Sequence, residues 1–200
     1  MFKRLIQALN NSVAPANTDP ENQIPPTAVI TQPLHSEGHF VQPEHATSSL
    51  SFGSAQWIWT SELSDGNAPI GSRGFRKTFV YPEGKTPDTL EISFAADDRA
   101  SLWVNGDHII DQVGWTNPAV HGVSLQSREL CALLIAFNAT NNGGPAGLLV
   151  DAQVTYTDGS TSPIVSDGSW RASVDGAPDG FQYFSFDDST WDLVKTQSRS

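Results

Sequence analysis

The sequence predicts an all-β domain, a sandwich of two sheets, preceded by a polar tail. Charged residues make up 16% of the chain, against roughly 25% in ordinary globular proteins. The chain instead holds 16 glycines, 13 prolines, 6 tryptophans and 10 phenylalanines. Turn residues combined with aromatic residues are typical of short strands joined by tight turns. The composition therefore argues against a helical bundle.

Residues 1–50 are predicted to form a tail without a core of its own. They contain six of the 13 prolines and neither tryptophan nor tyrosine, and residues 10–49 show no strand or helix periodicity. Such a stretch buries too little apolar area to offset the entropy of ordering it. Residues 2–9 have two interpretations: a frayed terminus, or a short amphipathic helix that needs a partner surface because it is too short to be stable alone.

Residues 51–200 are predicted to form the sandwich, because short apolar segments recur there between turn signals. Leu90 and Ile92 alternate with polar neighbours as in a half-buried strand, and Asn105-Gly106 is a strong hairpin signal. The predicted strands are Gln56–Trp59, Gly74–Tyr81, Thr89–Ala95, Ala100–Val104, His108–Val113, Gly122–Leu125, Leu130–Asn138, Gly147–Tyr156, Ser162–Val165 and Gln182–Phe186.

The charge balance excludes several classes of partner. The formal net charge is −11, and most of the acidic excess lies in residues 51–200. Nucleic acids and anionic membrane surfaces need a basic face, so neither is expected as a partner. No apolar run reaches the ~18–20 residues of a membrane helix, and no signal peptide is visible among the first residues. Membrane insertion is therefore not expected.

The single cysteine, Cys131, excludes an intramolecular disulfide and a cysteine-based zinc site. It stands in an apolar run, residues 130–137, and is predicted to be a small buried side chain.

Oxygen-bearing side chains are the candidate functional groups. Asp97 and Asp98 directly follow a predicted strand, and the stretch Asn138–Pro145 leaves the end of another. Loops at one end of a sandwich cluster together, so we expect these groups to meet. Carboxylates, amides and carbonyls are the ligands that calcium prefers, and they also hydrogen-bond sugar hydroxyls. The alternative is that the aspartates are solvated loop charges.

Trp115 lies in a polar stretch containing glycine and proline rather than in a strand. An exposed indole beside polar groups suits the apolar face of a pyranose ring; the alternative is a lid that folds back on the core. Trp57, Trp59 and Trp103 fall within strand patterns and are predicted to be core residues.

Five segments in order resemble a known family. Residues 94–106, Phe-Ala-Ala-Asp-Asp-Arg-Ala-Ser-Leu-Trp-Val-Asn-Gly, resemble a signature of galactose-binding-like jelly rolls, nearest to the rhamnose-binding modules that accompany α-L-rhamnosidases. The other four segments are Asn138–Leu149, Tyr156–Gly159, Ser166–Arg171 and Phe186–Trp191. The resemblance spans about residues 54–194 and implies a jelly-roll β-sandwich.

The resemblance also implies a calcium-dependent sugar site. Its implied metal ligands are Asp97, Asp98, Asn138, Asn142 and the carbonyl of Pro145. Its implied sugar-binding residues are Asp97, Asp98, Trp115, Asn138 and Asn141. Asp98 departs from the family, in which asparagine is frequent at that position. Asp187 and Asp188 resemble a closing structural turn and are not assigned to the ligand.

The predicted function is therefore calcium-dependent, lectin-like binding of a monosaccharide such as rhamnose or galactose, without catalysis. A second interpretation is an interaction or structural protein that keeps the fold and has lost sugar binding. A glycoside hydrolase is less favoured, because neighbouring residues of an extended chain point to opposite faces and do not form a carboxylate pair. The expected partner is a glycan, which favours an extracellular setting, and the oligomeric state is left open.

Overall fold

The computed structural model describes residues 50–116, 118–126 and 131–197. The predicted tail lies outside this part of the chain except for Leu50, and so does the amphipathic helix considered at residues 2–9. Within the described residues no helix is long and apolar enough to cross a membrane.

Twelve strands make up the regular structure of these residues. They are β1 Trp57–Trp59, β2 Gly71–Val80, β3 Pro87–Asp97, β4 Arg99–Val104, β5 Asp107–Val113, β6 Val120–Ser124, β7 Ala132–Asn141, β8 Gly147–Tyr156, β9 Thr161–Val165, β10 Arg171–Ser173, β11 Asp192–Leu193 and β12 Lys195–Gln197. One antiparallel sheet has the order β12-β1-β8-β3-β6, with β9 also paired to β8; the other has the order β11-β10-β2-β7-β4-β5. The predicted all-β sandwich is confirmed.

Strands β2 and β7 each run three residues further than predicted at one end, and both extensions reach the same end of the sandwich. β2 begins three residues earlier and β7 ends three residues later than the sequence pattern indicated. The added residues pair with one another, from Gly71 opposite Asn141 to Arg73 opposite Ala139. Polar and glycine residues hid this extension, because their place in the ladder depends on the partner strand.

The strand predicted at Gln182–Phe186 is wrong, because this segment forms successive turns. The amide of Tyr183 donates to the carbonyl of Gly180, and the amide of Phe186 donates to that of Tyr183. Aromatic residues at short intervals resembled a strand, but here they cover the outer face of the second sheet. The short strands β10 to β12 were not predicted, since two or three residues carry no measurable periodicity.

The core lies between the sheets and is rich in aromatic rings. Trp59, Phe75, Phe94, Phe137 and Trp170 are fully buried. The centroids of Phe94 and Phe137 lie 4.9 Å apart, and those of Trp59 and Phe75 lie 5.3 Å apart, both in inclined geometries that aromatic pairs favour. Trp59 is thus a core residue, as predicted.

The other two tryptophans that were predicted to be core residues, Trp57 and Trp103, lie outside the main core. Trp57 is only partly buried, in a small cluster on the outer face of the first sheet. Trp103 is also partly buried and packs edge-to-face on Phe181, with their centroids 5.3 Å apart. The prediction that Cys131 is buried is wrong. Cys131 is exposed, because it stands just before β7 begins.

A buried arginine holds the C-terminal turns against the second sheet. Arg76 of β2 donates to a carboxylate oxygen of Asp188 at 2.7 Å and to the carbonyls of Phe181 and Tyr183. Asp187 accepts a hydrogen bond from the Ser189 amide at 2.9 Å. Both aspartates therefore belong to the closing turn, as the sequence predicted.

Candidate functional site

Asp97 and Asp98 lie where the chain passes from one sheet to the other. Asp97 is the last residue of β3 in the first sheet, and β4 of the second sheet begins at Arg99. The peptide bond between the two aspartates is cis. The crossing places both residues at the end of the sandwich that the extended parts of β2 and β7 also reach.

Asp98 connects two loops that are distant in sequence. One of its carboxylate oxygens accepts a hydrogen bond from the backbone amide of Asn142 at 2.6 Å. Its carbonyl accepts one from the Gly114 amide at 2.6 Å, and its own amide donates to the carbonyl of Thr140 at 2.9 Å. The loop after β7 and the loop that carries Trp115 therefore both meet Asp98.

Asp97 carries an electrostatic cost in the folded chain. Partial burial raises the pKa of its carboxyl group, and the neighbouring negative charge of Asp98 raises it further. Across the sheet Asp97 pairs with Gly147, the first residue of β8. A Cβ on Gly147 would lie 2.6 Å from a ring carbon of Trp57, so the indole covers this glycine. The neighbouring carboxylates of Asp97 and Asp98 therefore repel each other at this end of the sandwich.

Asn141 lies beneath the surface and is bonded within the protein. The residue is fully buried. Its side-chain nitrogen donates to the carbonyls of Ala68 at 2.8 Å and Pro69 at 3.3 Å, and its side-chain oxygen accepts from the Gly143 amide at 2.9 Å. The amide group of Asn141 therefore holds two loops together instead of facing a ligand.

Asn138 lies within strand β7, whereas Pro145 lies in the loop between β7 and β8. Asn138 pairs across the second sheet with Gly74 and Ser101, three residues before the end of β7. Its side-chain oxygen is buried and has no hydrogen-bond partner among the described residues. Pro145 forms an isolated bridge with Asn67. The structure thus brings Asp97, Asp98, Asn142 and the Trp115 loop together, and leaves Asn138 further along its strand.

Two exposed apolar side chains lie in or beside the loops that Asp98 connects. Trp115 is 55% exposed in the loop that begins at Gly114. Ile70 is 72% exposed, and a Cβ placed on Gly143 would lie 3.7 Å from two of its side-chain carbons. Sequence reasoning missed Ile70, although a large apolar residue between Pro69 and Gly71 in a polar loop is an available signal. We name the group Asp97, Asp98, Asn142, Trp115 and Ile70 the rim site.

The donor set of the rim site fits a hard cation. No three acidic, histidine or cysteine side chains come together in the part of the chain that the structure describes. The rim site nevertheless offers two carboxylates and the Asn142 loop, and carboxylate and amide oxygens are ligand types of calcium.

His121 of β6 is partly buried and pairs with Ile92 of β3 across the first sheet. It packs near Phe94, with ring centroids 6.2 Å apart, and its Nε2 is buried without a hydrogen-bond partner among the described residues. Burial lowers the pKa of this imidazole from its ordinary value of 6.5. Protonated His121 is therefore disfavoured in the folded protein.

We expect the fold to lose stability as the pH falls below about 6.5 because of His121. The unfolded chain takes up a proton there before the folded chain does, so the loss grows until the pH passes the lowered pKa of the folded state. One such group contributes a slope of at most about 1.4 kcal/mol per pH unit. Urea unfolding from pH 7.5 to 5 should show a smaller slope for His121→Phe than for the parent chain. The exposed His108 supplies the control, and an equal flattening in His108→Gln would contradict the assignment.

Comparisons with known proteins agree with this architecture. No protein-family model matches the chain. An α-L-rhamnosidase from Streptomyces avermitilis is 34% identical over 161 residues, which is 76% of this chain and 15% of the enzyme. The apo lectin of Pleurotus ostreatus superposes with a TM-score of 0.68 and 37% identity, over 74% of this chain and 42% of the lectin.

Two further structures fit the same comparison. The Pleurotus ostreatus lectin in complex with GalNAc superposes with a TM-score of 0.69 and 36% identity, over 74% of this chain and 43% of the lectin. The Streptomyces avermitilis α-L-rhamnosidase complexed with L-rhamnose has a TM-score of 0.61 and 30% identity, over 71% of this chain and 14% of the enzyme. The chain thus spans less than half of the lectin and about one seventh of the enzyme. The resemblance drawn from the motifs, to a lectin-like module associated with α-L-rhamnosidases, is confirmed.

Proposed function

We propose that this lectin-like sandwich binds a monosaccharide of a glycan at the rim site, with calcium as its cofactor. The observation that carries the proposal is the set of bonds made by Asp98. Its hydrogen bonds to Asn142 and Gly114 assemble two carboxylates, an asparagine loop and an exposed indole from three separated segments. Such a combination of oxygen donors and an aromatic face is suited to a sugar ring.

Asp97 and Asp98 are the residues that would hold the cation, together with Asn142 and the carbonyl of Pro145. The raised pKa of Asp97 reflects unrelieved burial and repulsion, which a positive charge offsets. Bound calcium takes six to eight oxygen ligands and so offers places for adjacent sugar hydroxyls. Asn141, in this proposal, supports the site from below, and Asn138 takes no part in it.

Trp115 supplies the platform for the apolar face of the ring. Two related proteins support a sugar as the ligand, since the Pleurotus lectin was solved with GalNAc and the rhamnosidase with L-rhamnose. Both sugars carry adjacent ring hydroxyls, the feature that a cation with open positions recognises. We therefore propose rhamnose-like or galactose-like monosaccharides as the ligands.

We propose binding without catalysis. The two rim carboxylates are adjacent residues, and one of them accepts a hydrogen bond from the Asn142 backbone amide. Glycosidases instead place two carboxyl groups about 5–10 Å apart on either side of the scissile bond. The second candidate remains an interaction protein on the same fold.

Calorimetric titration of the full chain with GalNAc and with L-rhamnose tests the proposal. We expect binding in calcium and none in EDTA, and we expect Trp115→Ala to weaken sugar binding by roughly 3- to 10-fold, the range of one aromatic contact. Binding of calcium itself should be unchanged in that variant. Phe184→Ala, at an aromatic residue that is 41% exposed on the C-terminal turns, is the matched control.

Two outcomes would contradict the proposal in different ways. Equal sugar binding in calcium and EDTA would remove the cation from it. If a broad glycan array in calcium showed no binding, the interaction-protein interpretation would replace the carbohydrate ligand altogether.

A further inference from the structure

We infer that the rim site selects sugars that carry a methyl group, as a 6-deoxy or N-acetyl substituent, and that Ile70 is the residue that contacts this methyl. The inference rests on the proposed function and adds a specificity-determining residue to it. It is carried by the position of Ile70, by the way its loop is held, and by the hydrogen bonds that link Asp98 to the loop beside Ile70 and to the loop that carries Trp115.

Ile70 is a large aliphatic side chain that the fold keeps in water. It is 72% exposed, and a single exposed aliphatic residue is by itself common on protein surfaces. Its surroundings make it unusual. The carbonyls of the two preceding residues, Ala68 and Pro69, are both held by the side chain of Asn141, which is fully buried.

The loop that carries Ile70 is fixed in place beside the site. The Ala68 amide also donates to the carbonyl of Gly144 at 3.3 Å, which ties this loop to the loop after β7. Gly143 has a φ of 133°, a conformation that side chains rarely adopt. Ile70 therefore lies beside Gly143, in two loops that are hydrogen-bonded to each other, and little apolar surface covers its side chain.

Asp98 links the loop beside Ile70 to the loop that carries Trp115. Its carboxylate bonds Asn142, the neighbour of the glycine that Ile70 contacts, and its carbonyl bonds Gly114, the neighbour of Trp115. A ring that lies on Trp115 with its hydroxyls at the aspartates presents a further substituent towards Ile70. A methyl group there buries apolar surface, whereas a hydroxymethyl or hydroxyl group loses hydration without a partner.

The expected size of the effect follows from burial of one methyl group. About 0.8 kcal/mol for a buried methyl or methylene corresponds to roughly a 4-fold change in affinity. Matched pairs of sugars isolate this group: L-rhamnose against L-mannose for the deoxy methyl, and GalNAc against N-formylgalactosamine for the acetyl methyl. In calcium, the parent chain should bind the methyl-bearing member of at least one pair about 3- to 10-fold more tightly, and the pair concerned identifies the substituent.

Ile70→Ser should bring that ratio close to one, whereas Ile70→Val should keep most of the preference. Val80→Ser is the matched control, because Val80 is 70% exposed at the far end of β2. An unchanged ratio in Ile70→Ser would overturn the inference while leaving the proposed function intact. If the parent chain bound no member of either pair, the failure would be that of the proposed function.

Discussion

In the Asp97→Asn variant, calcium-dependent sugar binding is expected to fall on the order of 100-fold, while the protein without calcium becomes more stable at pH 7. A carboxylate ligand lost from a cation site removes a charged interaction of about 1.5–3 kcal/mol. In the folded chain, however, the ionised Asp97 is disfavoured by burial and by Asp98. A neutral amide of the same shape removes that penalty.

The gain in stability should depend on pH with a definite sign. A carboxyl group whose pKa is raised by folding destabilises the native state at pH values above that pKa. As the pH falls towards the ordinary aspartate value of 3.8, Asp97 becomes protonated in both states. The difference in unfolding temperature between the variant and the parent chain should therefore shrink towards zero.

Thermal unfolding in EDTA and in excess calcium measures both effects. Calcium should raise the unfolding temperature of the parent chain, by a linkage that reaches about 2.7 kcal/mol at 100 times the dissociation constant, and should not raise that of Asp97→Asn. Asp179→Asn, an equal change in charge at an exposed residue of the C-terminal turns, is the control. If Asp97→Asn bound sugar normally, or if Asp179→Asn gave the same stability gain, the role assigned to Asp97 would be wrong.

Replacing Arg76 by methionine is expected to lower the free energy of unfolding by about 3 kcal/mol, the usual cost of leaving a buried ionic network without one partner. Arg76 is 3% exposed and bonds Asp188 as well as the carbonyls of Phe181 and Tyr183. Its guanidinium also lies 5.4 Å from the ring centre of Phe186. For a domain of this size the unfolding temperature should fall by roughly 6–12 °C.

The same substitution at Arg99 is the matched control. Arg99 lies on β4 of the same sheet and is exposed, so Arg99→Met should change stability by at most about 0.5 kcal/mol. In Arg76→Met, tryptophan fluorescence should report a more hydrated Trp191, which packs on Phe186 in the native turns with ring centroids 5.5 Å apart. Similar losses in both variants would mean that Arg76 does not hold these turns.

Much of the fold was predictable because it depends on neighbouring residues. β8 was predicted from residue 147 to residue 156 and is found there, since an apolar residue at every second position from Leu148 to Tyr156 identifies a strand without reference to any partner. The turn at Asn105-Gly106 was predictable for the same reason, and both residues have positive φ values as a tight hairpin requires. The strand prediction for Gln182–Phe186 failed, because the carbonyls of this segment accept hydrogen bonds from Arg76. These bonds join residues more than a hundred positions apart.

The candidate site divides in the same way. Sequence alone placed Asp97 and Asp98 at the end of a strand and Trp115 in a loop, since each placement follows from local pattern. It did not separate Asn141 from Asn142, which are adjacent and chemically equal. In the structure, Asn141 is buried and its side-chain amide donates to the carbonyls of Ala68 and Pro69. The backbone amide of Asn142 instead donates to a carboxylate oxygen of Asp98.

By itself, then, the sequence determined the sandwich, the acidic pair Asp97-Asp98 at the end of a strand and the resemblance to a sugar-binding module, because these depend on periodicity, turn chemistry and the order of motifs. The tertiary structure decided which side chains meet. The bond from Asn142 to Asp98 joins residues 44 positions apart, and the contact between Ile70 and Gly143 joins residues separated still further. Contacts of this kind are set by sheet register and loop packing, which no local pattern of residues records.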